Sequence, residues 1–350
     1  MFSAKLGIAK PARKCEKSPM NTRPHPRRDF IRRSAIMGLA AAAMQPPTWL
    51  WGQSETRQLP RQGIPELMPR PLRLGGPAFS KSEDPEEMAL AHRQLGYRAA
   101  YCPNVSLNDP ARIKAVADAF AKHDVVLAEV GRWCNLLDPD ADKRRQNLAT
   151  VTEGLALADA LGARCCVDIA GSFNPTVWYG PHPENLSPKF FEAAVENARK
   201  IIDAVKPKRA KLAYEMMGWA IPDSPDSYLK LIQAVDREAF AVHLDVCNLV
   251  NSPEKFYHNT ELINESFDKL GRWIVSCHAK DLTWDIEMNV HFREVRPGTG
   301  SIDYATYLRR LAQLPSPPPL MLEHLSKPEE YDQARQHILD TGKKAGLTFG

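Results

Sequence analysis

The fold class this 350-residue sequence predicts is α/β, as an eight-fold (β/α)8 barrel. Three observations predict it. Short apolar runs alternate with capped, amphipathic helical stretches from residue 70 to the end. Eight such pairs can be read, about what the ~250 residues of a typical barrel hold. The runs are apolar throughout rather than alternating, as expected for a parallel sheet covered by helices. An open doubly wound sheet would carry a glycine-rich phosphate turn after its first strand, and Leu74-Gly-Gly-Pro77 is not that turn.

The elements follow in order. Leu72–Gly76 is the first strand, and Asp84–Leu95 is a helix with acids in its first turn, where the helix dipole favours them. Tyr97–Cys102 is the second strand, and Asp109-Pro110 caps and opens the helix that runs to Lys122. Asp124–Val130, the helix 140–161 closed by Gly162, and Arg164–Ala170 come next. Ser187–Val205 is helical, Lys211–Glu215 is the fifth strand, and Asp226–Val235 is helical again. Phe240–Asp245, a mostly helical stretch 253–270, and Trp273–Lys280 follow. Residues 283–300 are expected to form an extended loop, before a helix 302–314, the eighth strand Leu320–Glu323 and a last helix 329–344.

Ahead of the barrel, residues 1–45 read as a targeting segment and 46–69 as a Pro-, Gln- and Arg-rich linker, leaving 70–350 as one domain. The net charge is +4, but ten basic residues and only two acids lie in the first 33, so the remainder is slightly acidic. No basic face argues for nucleic acid. Arg27-Arg-Asp-Phe-Ile-Arg32 resembles the bacterial twin-arginine export motif, with Pro26 standing where Ser or Thr is usual, and an apolar run 35–44 follows. The expectations are handling by the twin-arginine export machinery, and a periplasmic or extracellular, soluble protein. The run is shorter than the roughly 20 residues a bilayer span needs, so no stable membrane insertion is expected. Of the seven cysteines, Cys102, Cys165, Cys166, Cys247 and Cys277 are expected in strands and read as buried filler, with no C-x-x-C pair to hold zinc.

The chemistry gathers at four consecutive strand ends: Glu215, Asp245, His278 and Glu323, spaced 30, 33 and 45 residues apart. In a barrel all strand C-termini open onto one face, so these four should converge there. Two Glu, one Asp and one His make a hard, mostly oxygen site for one divalent metal; Mn²⁺ suits it best, and Mg²⁺, Co²⁺ or Zn²⁺ also fit. His243, one layer below Asp245, reads as a hydrogen-bonded core histidine.

Two motifs add a resemblance. His278-Ala-Lys-Asp281 and Pro297-Gly-Thr-Gly-Ser-Ile-Asp-Tyr304 are similar to the His-x-Lys-Asp and Gly-x-Gly-x-Ile-Asp-Tyr segments of the xylose-isomerase-like TIM-barrel superfamily, over about residues 70–345. The resemblance implies that Glu215, Asp245, His278 and Glu323 hold the metal, and that Glu215 and Glu323 also act as the catalytic acid/base pair. It implies a carbohydrate substrate and a homodimer, although no stretch of sequence shows the interface. Asn248 departs from the family, standing where a histidine often follows the strand-six Asp; it can hydrogen-bond a hydroxyl but cannot shuttle a proton near neutral pH. The endonuclease-IV-like branch adds histidine ligands on strands two and three, and here Tyr101-Cys-Pro-Asn and Glu129-Val-Gly-Arg have none.

Further substrate contacts are expected from Asn248, from Lys280, which otherwise pairs with Glu129 or Asp168, from Trp133 and Trp219 after strands three and five, and from Arg296 before the Gly-Thr-Gly turn. The expected function is a metal-dependent sugar or keto-sugar isomerase or epimerase, working through an enediolate. The alternatives are a metal-dependent lyase on oxidised glycosides and a non-catalytic sugar-binding barrel.

Overall fold

The computed structural model describes residues 69–350, so the targeting segment and all but the last residue of the linker lie outside the described residues. In chain order the elements are β1 (Leu74–Gly75), α1 (Pro85–Gln94), β2 (Ala99–Tyr101), α2 (Pro110–Lys122), β3 (Val126–Gly131), α3 (Ala141–Leu161), β4 (Cys165–Asp168), α4 (Pro188–Val205), β5 (Lys211–Glu215), α5 (Pro225–Val235), β6 (Phe240–Leu244), α6 (Val246–Leu249), α7 (Pro253–Tyr257), α8 (Asn259–Leu270), β7 (Ile274–Ala279), β8 (Asp281–Trp284), β9 (Phe292–Val295), α9 (Tyr304–Ala312), β10 (Leu320–Leu322) and α10 (Pro328–Lys344).

Strands β1 to β7 and β10 close into an eight-stranded parallel barrel, β10 pairing with both β7 and β1. The (β/α)8 expectation therefore holds. Closure between β1 and β2 depends on Gly75, because a Cβ there would lie 2.5 Å from Met321 Sδ and 2.6 Å from the Ala99 carbonyl. The helices start where the sequence signals them. Asp84, Asp109, Asp140, Ser187 and Ser224 each accept backbone N–H bonds from the first turn of the helix that follows. Such side-chain caps satisfy donors a helix N-terminus leaves free. Gly162 closes α3 at φ 74°, a left-handed backbone that favours glycine.

Three expectations are corrected. Residues 283–300 are not simply a loop: β8 and β9 pair antiparallel as a hairpin, with Trp284 opposite Phe292. Its aromatic residues pack on α7, Phe292 stacking on Phe256 at 5.3 Å between centroids. The stretch 253–270 breaks at His258 into α7 and α8. Cys247 lies in α6, a single turn nucleated by Asp245, whose side chain accepts from the Asn248 N–H. The six cysteines among the described residues are free thiols. Among the described residues no helix is long and apolar enough to cross a membrane.

Candidate active site

Glu215 ends β5, Asp245 follows β6, His278 lies in β7 and Glu323 follows β10. These strands are consecutive neighbours in the barrel, so all four side chains reach the same mouth. One ligand atom from each lies within 4.8 Å of the others. His278 Nδ1 is the hub, 2.8 Å from Glu323 Oε1, 3.1 Å from Glu215 Oε1 and 3.7 Å from Asp245 Oδ2. Glu215, Asp245 and His278 are buried, whereas Glu323 is partly open to solvent.

A second polar tier lies beneath. Glu129 of β3 receives His278 Nε2 at 3.0 Å on one oxygen. Its other oxygen takes His243 Nε2 at 3.1 Å and the Ser276 hydroxyl at 2.8 Å. Burial alone would raise the Glu129 carboxyl; the imidazoles of His278 and His243 overcome this and hold it below the usual carboxylate range. A carboxylate on the far nitrogen of a histidine fixes its tautomer and aims the near nitrogen outward. Glu129 is the residue that sequence reasoning missed in this role. Its signal was an acid inside a buried apolar strand. His243 is the buried, hydrogen-bonded core histidine expected.

Lys280 is placed differently from expectation. It pairs with neither Glu129 nor Asp168, but enters the carboxylate cluster, with Nζ 2.5 Å from Glu323 Oε1, 2.8 Å from Asp245 Oδ2 and 3.3 Å from Glu215 Oε1. Those three acids gather at the mouth on the face Lys280 shares with His278, within reach of a four-carbon stem. Asp168 instead accepts the backbone N–H groups of Cys134 and Ile169. Burial opposes charge on Lys280, but Asp245 and Glu215 raise it above the ordinary lysine value. Burial likewise opposes charge on Asp245, yet Lys280 and His278 hold its carboxyl well below the usual range.

The remaining candidates divide. Asn248 donates Nδ2 to Glu215 Oε1 at 3.0 Å and to the Met216 carbonyl at 3.0 Å, so it aims the Glu215 carboxylate. Trp133 stands against the site, its ring 6.3 Å from the His278 imidazole, with 42% of its surface exposed. Trp219 is also exposed and donates Nε1 to the Tyr179 carbonyl at 2.6 Å. Arg296 does not join the ligand cluster; it lines a cavity of about 620 Å³ beside β9, together with His324 and Glu330. Asp281 points away from the ligands, as the alternation requires. It accepts N–H bonds from Gly298, Gly300, Ile302 and Leu282, and so pins the Gly-Thr-Gly turn.

The donor set fits a divalent cation. Asp245 Oδ2 and Glu323 Oε1 are buried and close to Lys280, yet neither has a donor in hydrogen-bond geometry. Four carboxyl groups in the two tiers (Glu129, Glu215, Asp245 and Glu323) face one lysine, Lys280, and the imidazoles of His278 and His243. Orphaned, electron-rich oxygens around an aimed imidazole suit a hard metal without directional demands.

Comparison with known proteins agrees with the barrel fold. Residues 90–341 match the model of the xylose isomerase-like TIM barrel family, and the chain belongs to that family. A probable L-ribulose-5-phosphate 3-epimerase of Mycoplasma pneumoniae is 22% identical over 196 residues, 55% of this chain. The match spans about three-fifths of that relative's own length, 59%. The D-psicose 3-epimerase of Clostridium cellulolyticum H10, solved with D-tagatose, aligns over 79% of this chain and 100% of its own, with a TM-score of 0.56 at 15% identity. The 3-keto-D-glucoside 4-epimerase of E. coli aligns over 79% and 99%, with a TM-score of 0.54 at 12% identity. At these identities the two structures speak to the fold.

Proposed function

We propose that the protein is a divalent-metal-dependent enzyme that moves a proton next to the carbonyl of a sugar or keto-sugar, giving isomerisation or epimerisation. One observation carries the reading: Glu215 and Glu323 come from the two ends of the arc β5–β6–β7–β10, with Asp245 and His278 between them. Two carboxylates brought to one site from opposite ends of that arc can address the two faces of a planar intermediate. The similarity to sugar epimerases supports the same reading.

A proton beside a carbonyl is weakly acidic, and its removal leaves an enediolate whose oxygens carry the charge. Glu215, Asp245, His278 and Glu323 would hold a divalent cation, Mn²⁺ being the best match, and it would supply stabilisation of that charge. One carboxylate takes the proton from one face, and the other returns it to the opposite face or the neighbouring carbon. Asn248 keeps Glu215 aimed through its 3.0 Å bond. Glu129 holds His278 in the tautomer that points Nδ1 at the pocket. Lys280 brings a buried positive charge against the same oxygens, well placed to meet a substrate hydroxyl.

A second reading keeps the same proton removal and adds loss of a leaving group, making the enzyme a lyase on oxidised glycosides. The exposed aromatic side chains at the mouth favour it. Export through the twin-arginine machinery belongs to the proposal too, since free sugars and glycosides are the carbohydrates met outside the cytoplasm. Immunodetection in the periplasmic fraction, lost on Arg27→Lys/Arg28→Lys substitution, is the expected result. For the catalytic claim, Glu215→Gln and Glu323→Gln should each lower turnover of a responsive keto-sugar roughly 10³-fold while leaving the fold intact. Variants that keep turnover would overturn the enzyme reading.

A further inference from the structure

The loop 172–182 between β4 and α4 is built around side chains that point into solvent. Its base is fixed by buried polar groups. The Ser172 hydroxyl donates to the Gly180 carbonyl at 2.6 Å, and Asn185 Nδ2 donates to the same carbonyl at 3.1 Å. Asn135 Nδ2 donates to the Ser172 carbonyl at 2.8 Å. Held on that frame, Val177, Trp178 and Tyr179 are 41%, 38% and 45% exposed. Trp178 and Tyr179 meet edge to face at 5.1 Å. Large aromatic surface left in water by an anchored loop calls for a binding partner.

The position identifies the partner's chemistry. The loop follows a barrel strand, so it stands at the same mouth as Glu215 and Glu323. It is joined to the loop after β5 by the bond from Trp219 to the Tyr179 carbonyl, four residues beyond Glu215. Trp133, after β3, stands against His278 with its ring 6.3 Å from the imidazole. Val177, Trp178 and Tyr179 themselves bring no charged side chain, and so no fork for a phosphate or carboxylate. Flat aromatic faces with backbone carbonyls at their edges match the C–H face and rim hydroxyls of a sugar ring.

We propose that Trp178, Tyr179 and Trp219 form a subsite for a second, neutral ring, so that the substrate is a glycoside rather than a free monosaccharide or a sugar phosphate. This rests on the reading of the mouth as a sugar site. The test is calorimetric titration of the Mn²⁺-loaded protein with cellobiose, maltose and trehalose beside glucose, repeated on Trp178→Ala and Tyr179→Ala. At least one disaccharide should bind about tenfold more tightly than glucose, the order of one aromatic contact, and the ratio should fall towards one in either variant. Disaccharides that bind no better than glucose would overturn the proposal. So would an unchanged ratio in variants that turn a dimer into monomers by sedimentation, since the surface would then be an interface between copies. A disaccharide preference that persists without any sugar turnover would support the subsite and count against the catalytic reading alone.

Discussion

Glu129 is buried, with two imidazoles and a hydroxyl as its partners, so its substitution tests what aiming His278 is worth. Glu129→Gln should weaken Mn²⁺ binding roughly 10–100-fold, the usual cost of losing a carboxylate behind a ligand histidine. Calorimetric titration checks this, and unchanged affinity would show that His278 is held by packing. At this scale the sequence was informative about faces. His278 and Lys280 share one face of β7 and Asp281 takes the other, as alternation along a strand requires. It was uninformative about partners. A lysine at a strand end can reach several neighbours, and which acids gather around Lys280 depends on the order of strands in three dimensions. Glu129 escaped for the same reason, since its three partners lie 114, 147 and 149 residues away in sequence.

Elements differed in how clearly they announced themselves. Capped helices and continuous apolar strands were legible because each carries a local signal. The β8–β9 hairpin was not, because its strands are four residues each and its tip, 286–290, mixes charged with fully exposed apolar residues. It is stabilised by Phe256, a contact no local pattern reveals. The hairpin's return is locked by Asp281 and the Gly298–Gly300 turn. A Cβ on Gly300 would clash with the Asp281 carboxylate and lie 2.5 Å from the Leu282 carbonyl. Gly300→Ala should therefore destabilise the fold by about 1–3 kcal/mol, read from denaturant midpoints. The Tyr228 hydroxyl bridges β5 and β6 from α5, lying 2.7 Å from the Tyr214 carbonyl, 2.8 Å from the Ala241 carbonyl and 3.1 Å from the Tyr214 N–H. Tyr228→Phe leaves those buried groups without the hydroxyl and should cost about 1–3 kcal/mol by the same measurement.

For the whole molecule, the barrel turns four residues spread over more than a hundred positions into one cluster at the mouth, three of them acids. A ligand that binds the folded state alone stabilises it by mass action. Mn²⁺ at 100 times its dissociation constant should stabilise the protein by about 2.7 kcal/mol, and the upward shift in thermal midpoint should vanish in a His278→Ala variant. The spacing of strand ends made the pocket legible in outline, because one strand–helix unit has a nearly fixed length. The substrate was not, because the mouth loops that select it follow no period.

The most direct test of the central claim is proton exchange. Parent protein with Mn²⁺ is incubated in D₂O with a panel of keto-sugars and 3-keto-glycosides, and deuterium at the carbon beside the carbonyl is followed by NMR. Wash-in is expected for at least one substrate, abolished by Glu215→Gln or Glu323→Gln. Substrate conversion without any deuterium at that carbon, or wash-in undiminished in both variants, would contradict the claim.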